Sequence, residues 1–236
     1  QGGEDGQIQK ILEDLDCKYV GTDSTHLQFC MDKTVTRNML LAEGIKLPVG
    51  QKVDEKQYKE HKLFSEPHVL KPKDGGSSID TFIFSDIAER DQNKVHAAFR
   101  IHKTMLIEQY IIGTEITVPV MQGKDLPVIE IIPPNDGTFD YQNKYNGLTK
   151  ELCPPENVSQ EVQKQATEIA LKCHEVMGCR HLSRTDMIVS PDGIFVLEVN
   201  TMPGMTGQSL FPKAAQYAGL NMNLLTDYLV KLAVKD

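Results

Sequence analysis

The sequence predicts a mixed α/β protein of the α+β kind, and three observations carry that expectation. Apolar strand-like runs alternate with helical segments over 236 residues. Several neighbouring strand runs are separated by turn residues too short to hold a crossover helix, which disfavours a doubly wound parallel sheet. One segment, 157–177, repeats apolar residues at helical spacing, with Val162, Ala166, Ile169, Cys173 and Val176 on one face.

Taken in order, 6–15 reads as a short helix and 18–21 as an apolar strand. Asp32 can cap a helix to about residue 43, which Gly44 ends. Residues 46–53, 68–72 and 79–84 read as strands, with the loop 74–78 between the last two. Ser85 is positioned to cap a helix through 102, and 105–110 is apolar and strand-like. Segment 115–120 puts Ile116, Val118 and Val120 on one side, a half-buried strand that pairs with 128–132 across the turn 123–125. Residues 133–155 form a long polar stretch with little periodicity, the kind of loop that is often a functional lid. A hairpin over 185–201 follows helix 157–177, and helices near 209–218 and 222–234 finish the chain.

Composition excludes some functions. The 33 acidic against 25 basic residues give a net charge of −8, so the basic footprint of a nucleic-acid-binding protein is missing. No apolar run reaches the ~18 residues of a membrane span, and no charged-then-apolar leader opens the sequence. The five cysteines (Cys17, Cys30, Cys153, Cys173, Cys179) are odd in number and form no CxxC pair, which reads as reduced thiols in a cytoplasmic protein.

The hairpin is the most informative segment. Ser190-Pro191-Asp192-Gly193 supplies turn chemistry between two apolar arms. A turn near Asp192 puts Asp186 opposite Glu198, and Asn200 emerges on the same strand face as Glu198. Facing carboxylates repel unless something neutralises them. The set is therefore either a hydrated surface or an oxygen-only site suited to Mg²⁺. Arg184, two residues before Asp186, shares that face, and the turn Pro203-Gly204-Met205 lies beside it.

Two other segments stay open on their own residues. Lys71-Pro72-Lys73-Asp74-Gly75-Gly76-Ser77-Ser78 is either a plain hairpin loop or an anion cradle of backbone N–H groups and hydroxyls with Lys71 at a phosphate; it is not a Walker loop. Glu108-Gln109-Tyr110-Ile111, with Glu115 beyond, is either a charged surface strand or a strand end that presents backbone and acids to a purine and a ribose.

Together the segments GGEDG (2–6), MDK (31–33), LKPKDGGSS (70–78), IEQYIIGTE (107–115), FDYQNKY (139–145), SRTD (183–186) and LEVNTMPGMTGQSLFP (197–212) resemble the D-alanine–D-alanine ligase branch of the ATP-grasp superfamily, over essentially the whole chain. The resemblance implies an ATP-grasp fold of two subdomains clamping ATP, with 23–106 as the central subdomain and 107–236 as the C-terminal one that carries the metal and substrate sites. Residues 1–22 then read as the remnant of an N-terminal substrate domain, most of which the sequence lacks.

The same resemblance assigns roles. Lys33 and Lys71 hold ATP phosphates under the Gly76, Ser77, Ser78 loop. Glu108 meets the adenine amino group, the Tyr110 and Ile111 backbone meets the ring, and Glu115 meets the ribose. Asp186, Glu198 and Asn200 are implied ligands of two Mg²⁺ ions, with Mn²⁺ as a substitute. The long stretch becomes a lid that brings Lys144 to the γ-phosphate and Tyr145 to the substrate, near Ser77. Arg184 and the Gly204 N–H stabilise developing charge, and Ser209 with Leu210 seats the carboxylate of the second substrate.

The implied reaction joins two D-alanines through an acyl phosphate, for peptidoglycan precursors in the cytoplasm. ATP and D-alanine are the expected partners, with no membrane and no nucleic acid, and the full-length protein is expected to be a homodimer. Alternatives are a relative that takes D-lactate or another D-residue second, or an ATP–Mg-binding fragment without turnover. The sequence departs from the family pattern at Gly75 (often Glu), Asp80 (usually Gly) and Gln208 (commonly His).

Overall fold

The structure is a computed structural model and describes residues 3–75, 79–122, 124, 126–134 and 149–235. Two antiparallel sheets organise it. The first contains β1 (Gly50–Val53), β2 (His68–Pro72), β3 (Phe82–Phe84) and β4 (Met105–Gln109), in the order β1-β4-β2-β3. The second contains β5 (Thr114–Met121), β6 (Ile129–Ile132), β7 (Lys150–Leu152), β8 (Leu182–Ser190) and β9 (Gly193–Asn200), in the order β7-β6-β5-β8-β9. The mixed α/β expectation holds.

The first sheet buries one face under helices, and the second is covered by helices on both faces. The first packs Leu70, Met105 and Ile107 against Tyr58 of α4 (Glu55–Glu60) and Phe99 of α5 (Gln92–His102). Strand alternation then turns Lys71 and Glu108 to the other side. The second sheet packs Ile116, Val118, Met187 and Val196 against Leu40 of α3 (Lys33–Ala42) and against Ala166, Ala170 and Cys173 of α6 (Gln160–Val176). The alternation read at 115–120 and the apolar stripe on 157–177 therefore meet in one core. A further cluster joins Ile129, Ile131 and Leu182 to Phe211 of α7 (Leu210–Tyr217) and Leu225 of α8 (Met222–Lys235).

Several expected boundaries move, for physical reasons. Residues 18–21 form no strand because their backbone is satisfied elsewhere: Arg180 donates to the Gly21 carbonyl at 2.8 Å, and the Gly21 N–H donates to His181 Nδ1 at 3.0 Å. Segment 46–49 is not a strand because it bridges the two sheets. The Lys46 carbonyl accepts from Val196 N–H at 2.9 Å, and the Val49 carbonyl accepts from Gln109 N–H at 2.8 Å.

The helix expected over 85–102 divides, because two aspartates cap separately. Asp86 accepts from Ala88 N–H ahead of a 3₁₀ turn at Ile87–Glu89, and Asp91 accepts from Asn93 and Lys94 N–H to start α5. Strand 79–84 shortens to Phe82–Phe84, and the long polar stretch holds β7 at its end. Two helices were not expected: α1 (Gln7–Asp14) has the position foreseen, but α2 (Ser24–Met31), capped by Asp23, and α4, started by an Asp54–Gln57 capping box, are additional. The division expected between 106 and 107 falls inside β4, whose residues Met105–Gln109 pair with β2 throughout.

Asp80 sits at φ 54°, in the left-handed region that glycine enters without cost. Its carboxylate accepts from His102 Nε2 at 2.7 Å, a contact that a glycine there would lack.

Candidate active site

The second sheet supplies the acidic part of the site. β8 and β9 turn through Pro191-Asp192, with Ser190 paired to Gly193. Simple counting from that turn would set Asp186 against Leu197. A register shift between Asp186 and Met187 absorbs one residue of β9, so Asp186 pairs with Glu198 and Arg184 with Asn200. The expected pairing is present, and the bulge produces it.

Asp186 is 6% exposed. Its Oδ1 accepts from Thr117 Oγ1 at 2.6 Å and from Arg184 Nε at 3.0 Å, and its Oδ2 accepts from Arg184 Nη2 at 3.0 Å. Burial opposes the Arg184 charge. Asp186, by charge and by hydrogen bonds, then Glu198 and Glu115, outweigh burial and raise the guanidinium pKa above its ordinary value. Asn200 Oδ1 accepts from Met202 N–H at 3.0 Å, which starts the loop toward Gly204.

That loop ends at the start of α7. A Cβ on Gly204 would lie 2.8 Å from Ser209 Oγ, so glycine is what lets the loop backbone approach this hydroxyl. Ser209 holds the N-cap position of α7 without a side-chain cap bond; its hydroxyl is turned to Thr206, accepting from Thr206 N–H at 3.1 Å and lying 2.8 Å from Thr206 Oγ1. Ser209 and Leu210, at the start of α7, line the larger cavity.

The first sheet and the start of α3 supply the lysines. Lys71 Nζ lies 2.6 Å from Glu108 Oε2 and 3.4 Å from the Leu197 carbonyl. Lys33 follows the α3 cap residue Asp32 and donates to the Gly75 carbonyl at 2.6 Å. Burial lowers the Lys33 pKa, with Lys71 acting in the same direction and Glu198 and Glu108 against it. Gly50, opposite Glu108, leaves room for that side chain: a Cβ there would be 2.8 Å from Glu108 Cγ.

Two cavities meet along Lys33, Lys71, Glu108 and Glu198. One, of about 620 Å³, also reaches Tyr110, Ile111, Glu115 and Asp186. The other, of about 700 Å³, reaches Arg184, Asn200, Gly204, Ser209 and Leu210. Every expected site residue that the structure describes thus lines one or both. Gly76, Ser77, Ser78, Lys144 and Tyr145 lie outside the described residues. The Tyr110 N–H donates to the Pro67 carbonyl at 3.2 Å, so that donor is committed within the protein.

The structure adds residues the sequence reading did not name. Arg37 donates to Glu108 from α3, and the Lys213–Glu151 ion pair ties α7 to β7 at the wall of the larger cavity. An Arg at the fifth position of a capped helix and a Lys one turn into another carry no signal of their own.

Among the described residues, no three His, Cys, Asp or Glu side chains gather as a metal cluster. The oxygen set here is two carboxylates and an amide, and it suits a hard cation. One of those carboxylates is buried and already compensated by a guanidinium.

Two antiparallel-sheet units around a cleft lined by Lys33, Lys71 and Glu108 and by Arg184, Asp186 and Glu198 define an ATP-grasp architecture. The D-alanine–D-alanine ligase of Bacillus anthracis, solved as a complex with ATP, has the same fold with a TM-score of 0.81 at 30% identity, covering 99% of this chain and 76% of that one. A D-Ala:D-Ser ligase from Enterococcus faecalis superposes at 0.80 with 29% identity, over 98% of this chain and 70% of the other. The family model described as D-ala D-ala ligase C-terminus matches residues 39–231. The D-alanine–D-alanine ligases of Desulforamulus reducens and Syntrophobacter fumaroxidans are 36% and 38% identical over 99% of this chain, which spans 78% of each. The chain belongs to the D-alanine–D-alanine ligase family.

Proposed function

We propose that this protein joins two D-alanines at the expense of ATP, through an acyl phosphate, for peptidoglycan precursor synthesis in the cytoplasm. The observation that carries the reading is the Arg184–Asp186–Glu198 group, where the two cavities meet along Glu198. The smaller cavity is the nucleotide side and the larger the amino-acid side.

In this reading Lys33 and Lys71 hold phosphates, Glu108 and the Tyr110–Ile111 backbone hold adenine, and Glu115 holds the ribose. Asp186, Glu198 and Asn200 would hold two Mg²⁺ ions, or Mn²⁺ in their place, which when bound supply charge neutralisation at the transferring phosphoryl group. A carboxylate oxygen of the first D-alanine bonds to the γ-phosphorus and ADP leaves. The amine of the second D-alanine then bonds to the acyl carbon, and phosphate leaves with that oxygen.

Negative charge develops in both steps. Arg184 and the Gly204 N–H, both on the wall of the larger cavity, are the donors we assign to it, so positioning and electrostatics supply the rate. Ser209 and the Leu210 N–H seat the second carboxylate. By resemblance Gly76, Ser77 and Ser78 close over the phosphates, and Lys144 and Tyr145 complete the site. We place the division between the ATP-grasp subdomains after β4 instead of within it, and propose that the protein is a homodimer.

Phosphate release tests the reading. D-alanine plus ATP should give one ADP and one phosphate per dipeptide. D-lactate offered as the second substrate should turn over at least ~10-fold more slowly near neutral pH, since a site built around an amine is left with an unpaired acceptor when a hydroxyl takes its place. A preference for D-lactate would replace D-alanine in the assignment, and no turnover with either would remove it.

A further inference from the structure

Glu108 is a buried carboxylate with two cations on it. It is 3% exposed; Oε1 accepts from Arg37 Nη1, and Oε2 accepts from Lys71 at 2.6 Å. Arg37 is itself buried, at 8% exposure, and is held at a second point, where Nη2 donates to the Pro48 carbonyl at 2.8 Å. Lys71 differs: besides Glu108 it has only a long 3.4 Å approach to the Leu197 carbonyl among its described hydrogen bonds, and it lines both cavities. Lys33, the other cation facing this group, is engaged with the Gly75 carbonyl at 2.6 Å.

One carboxylate needs one counter-ion. A second cation on it is available to leave, provided that the first stays. Arg37 is built to stay: its planar fork spans a carboxylate and a carbonyl, and a guanidinium cannot be neutralised by losing a proton. Lys71 is a compact charge on a flexible stem, suited to changing partners.

We propose that Arg37 is a positioning residue that releases Lys71 for the nucleotide. Arg37 is the standing counter-ion of Glu108. Lys71 moves from Glu108 to a phosphate when ATP enters, and the Oε2 lone pair it vacates accepts the adenine amino group. The proposal rests on the ATP reading of this cleft. It makes the adenine and phosphate ends of the site interdependent, because one lysine must leave the first to serve the second. Without Arg37, Lys71 and Glu108 would close into a neutral pair, and drawing Lys71 away would strand a buried charge.

The test is a double-mutant cycle in ATP affinity, read by calorimetric titration of Mg-ATP into the whole chain, with Arg37→Met, Glu108→Gln and the two combined. Arg37→Met should weaken ATP binding about 100-fold when Glu108 is present, the scale of an unpaired buried charge. In the Glu108→Gln background, where no carboxylate retains Lys71, the same change should cost less than about 3-fold. Arg37→Gln, which keeps donors for Glu108 and Pro48 but not the charge, is carried through the same cycle and should behave as Arg37→Met does, so the test stands if the methionine variant does not fold. Equal losses in both backgrounds would show that Arg37 only supports the fold and would overturn the exchange. A wild-type chain that binds no ATP would overturn the nucleotide reading beneath it.

Discussion

Arg184→Met should lower kcat about 1000-fold, the scale of removing a fixed donor to a developing charge together with the partner that orients its neighbour. The cause lies in the geometry at Asp186. Arg184 makes two 3.0 Å bonds to that carboxylate, which is 6% exposed. Taking the guanidinium away removes both of those bonds and keeps the one from Thr117 Oγ1. The fold should therefore lose about 3 kcal/mol as well, the range for breaking a buried pair. Arg184→Lys separates the two effects: an ammonium restores a charge and part of the stability, but cannot reproduce the paired bonds, so the rate stays low. Denaturant midpoints and steady-state rates on the same preparations check both. Turnover of Arg184→Met within tenfold of wild type would remove Arg184 from the chemistry.

Glu198→Gln is the second large effect. The amide keeps size and shape but halves the acidic charge on the Asp186–Glu198 pair. If these acids hold Mg²⁺, kcat should fall at least ~100-fold, and the Mg²⁺ concentration for half-maximal rate should rise about 10-fold or more. Glu198 is half-buried and is not part of the Arg184 fork, so stability should change by less than about 1 kcal/mol. If the acids were a hydrated hairpin face, the Mg²⁺ dependence would not move. A titration of rate against Mg²⁺ for both proteins decides between them.

Much of the site was legible because its residues stand in compact strings. The hairpin carried Arg184, Asp186, Glu198 and Asn200 within one strand–turn–strand unit, where period-two alternation fixes faces. Even there the register came from the bulge at Asp186/Met187, which turn chemistry does not announce. Arg37 was not legible. Its meaning appears only when α3 is laid against β4 and its guanidinium reaches Glu108, a contact between residues 71 positions apart.

Fold boundaries failed where tertiary bonds replaced local ones. Segment 46–49 looks like a strand and shares its carbonyls between two sheets, while 18–21 gives its backbone to Arg180 and His181. The start of α4 is a different kind of omission. Its Asp54–Gln57 capping box is a local signal that stands in the sequence and can be read from it. Asp80 lies between these cases: the departure from glycine was visible, but its positive φ and the His102 partner were not.

In the proposed reaction, ATP activates a D-alanine carboxylate as an acyl phosphate in this cleft. The most direct measurement supplies D-alanine with ¹⁸O in both carboxylate oxygens and follows the released phosphate by mass. Each phosphate should carry one ¹⁸O and the new peptide carbonyl should retain one, because the oxygen that attacks the γ-phosphorus leaves with it. Unlabelled phosphate accompanying dipeptide formation would contradict it, since the carboxylate would then never have been joined to the phosphoryl group.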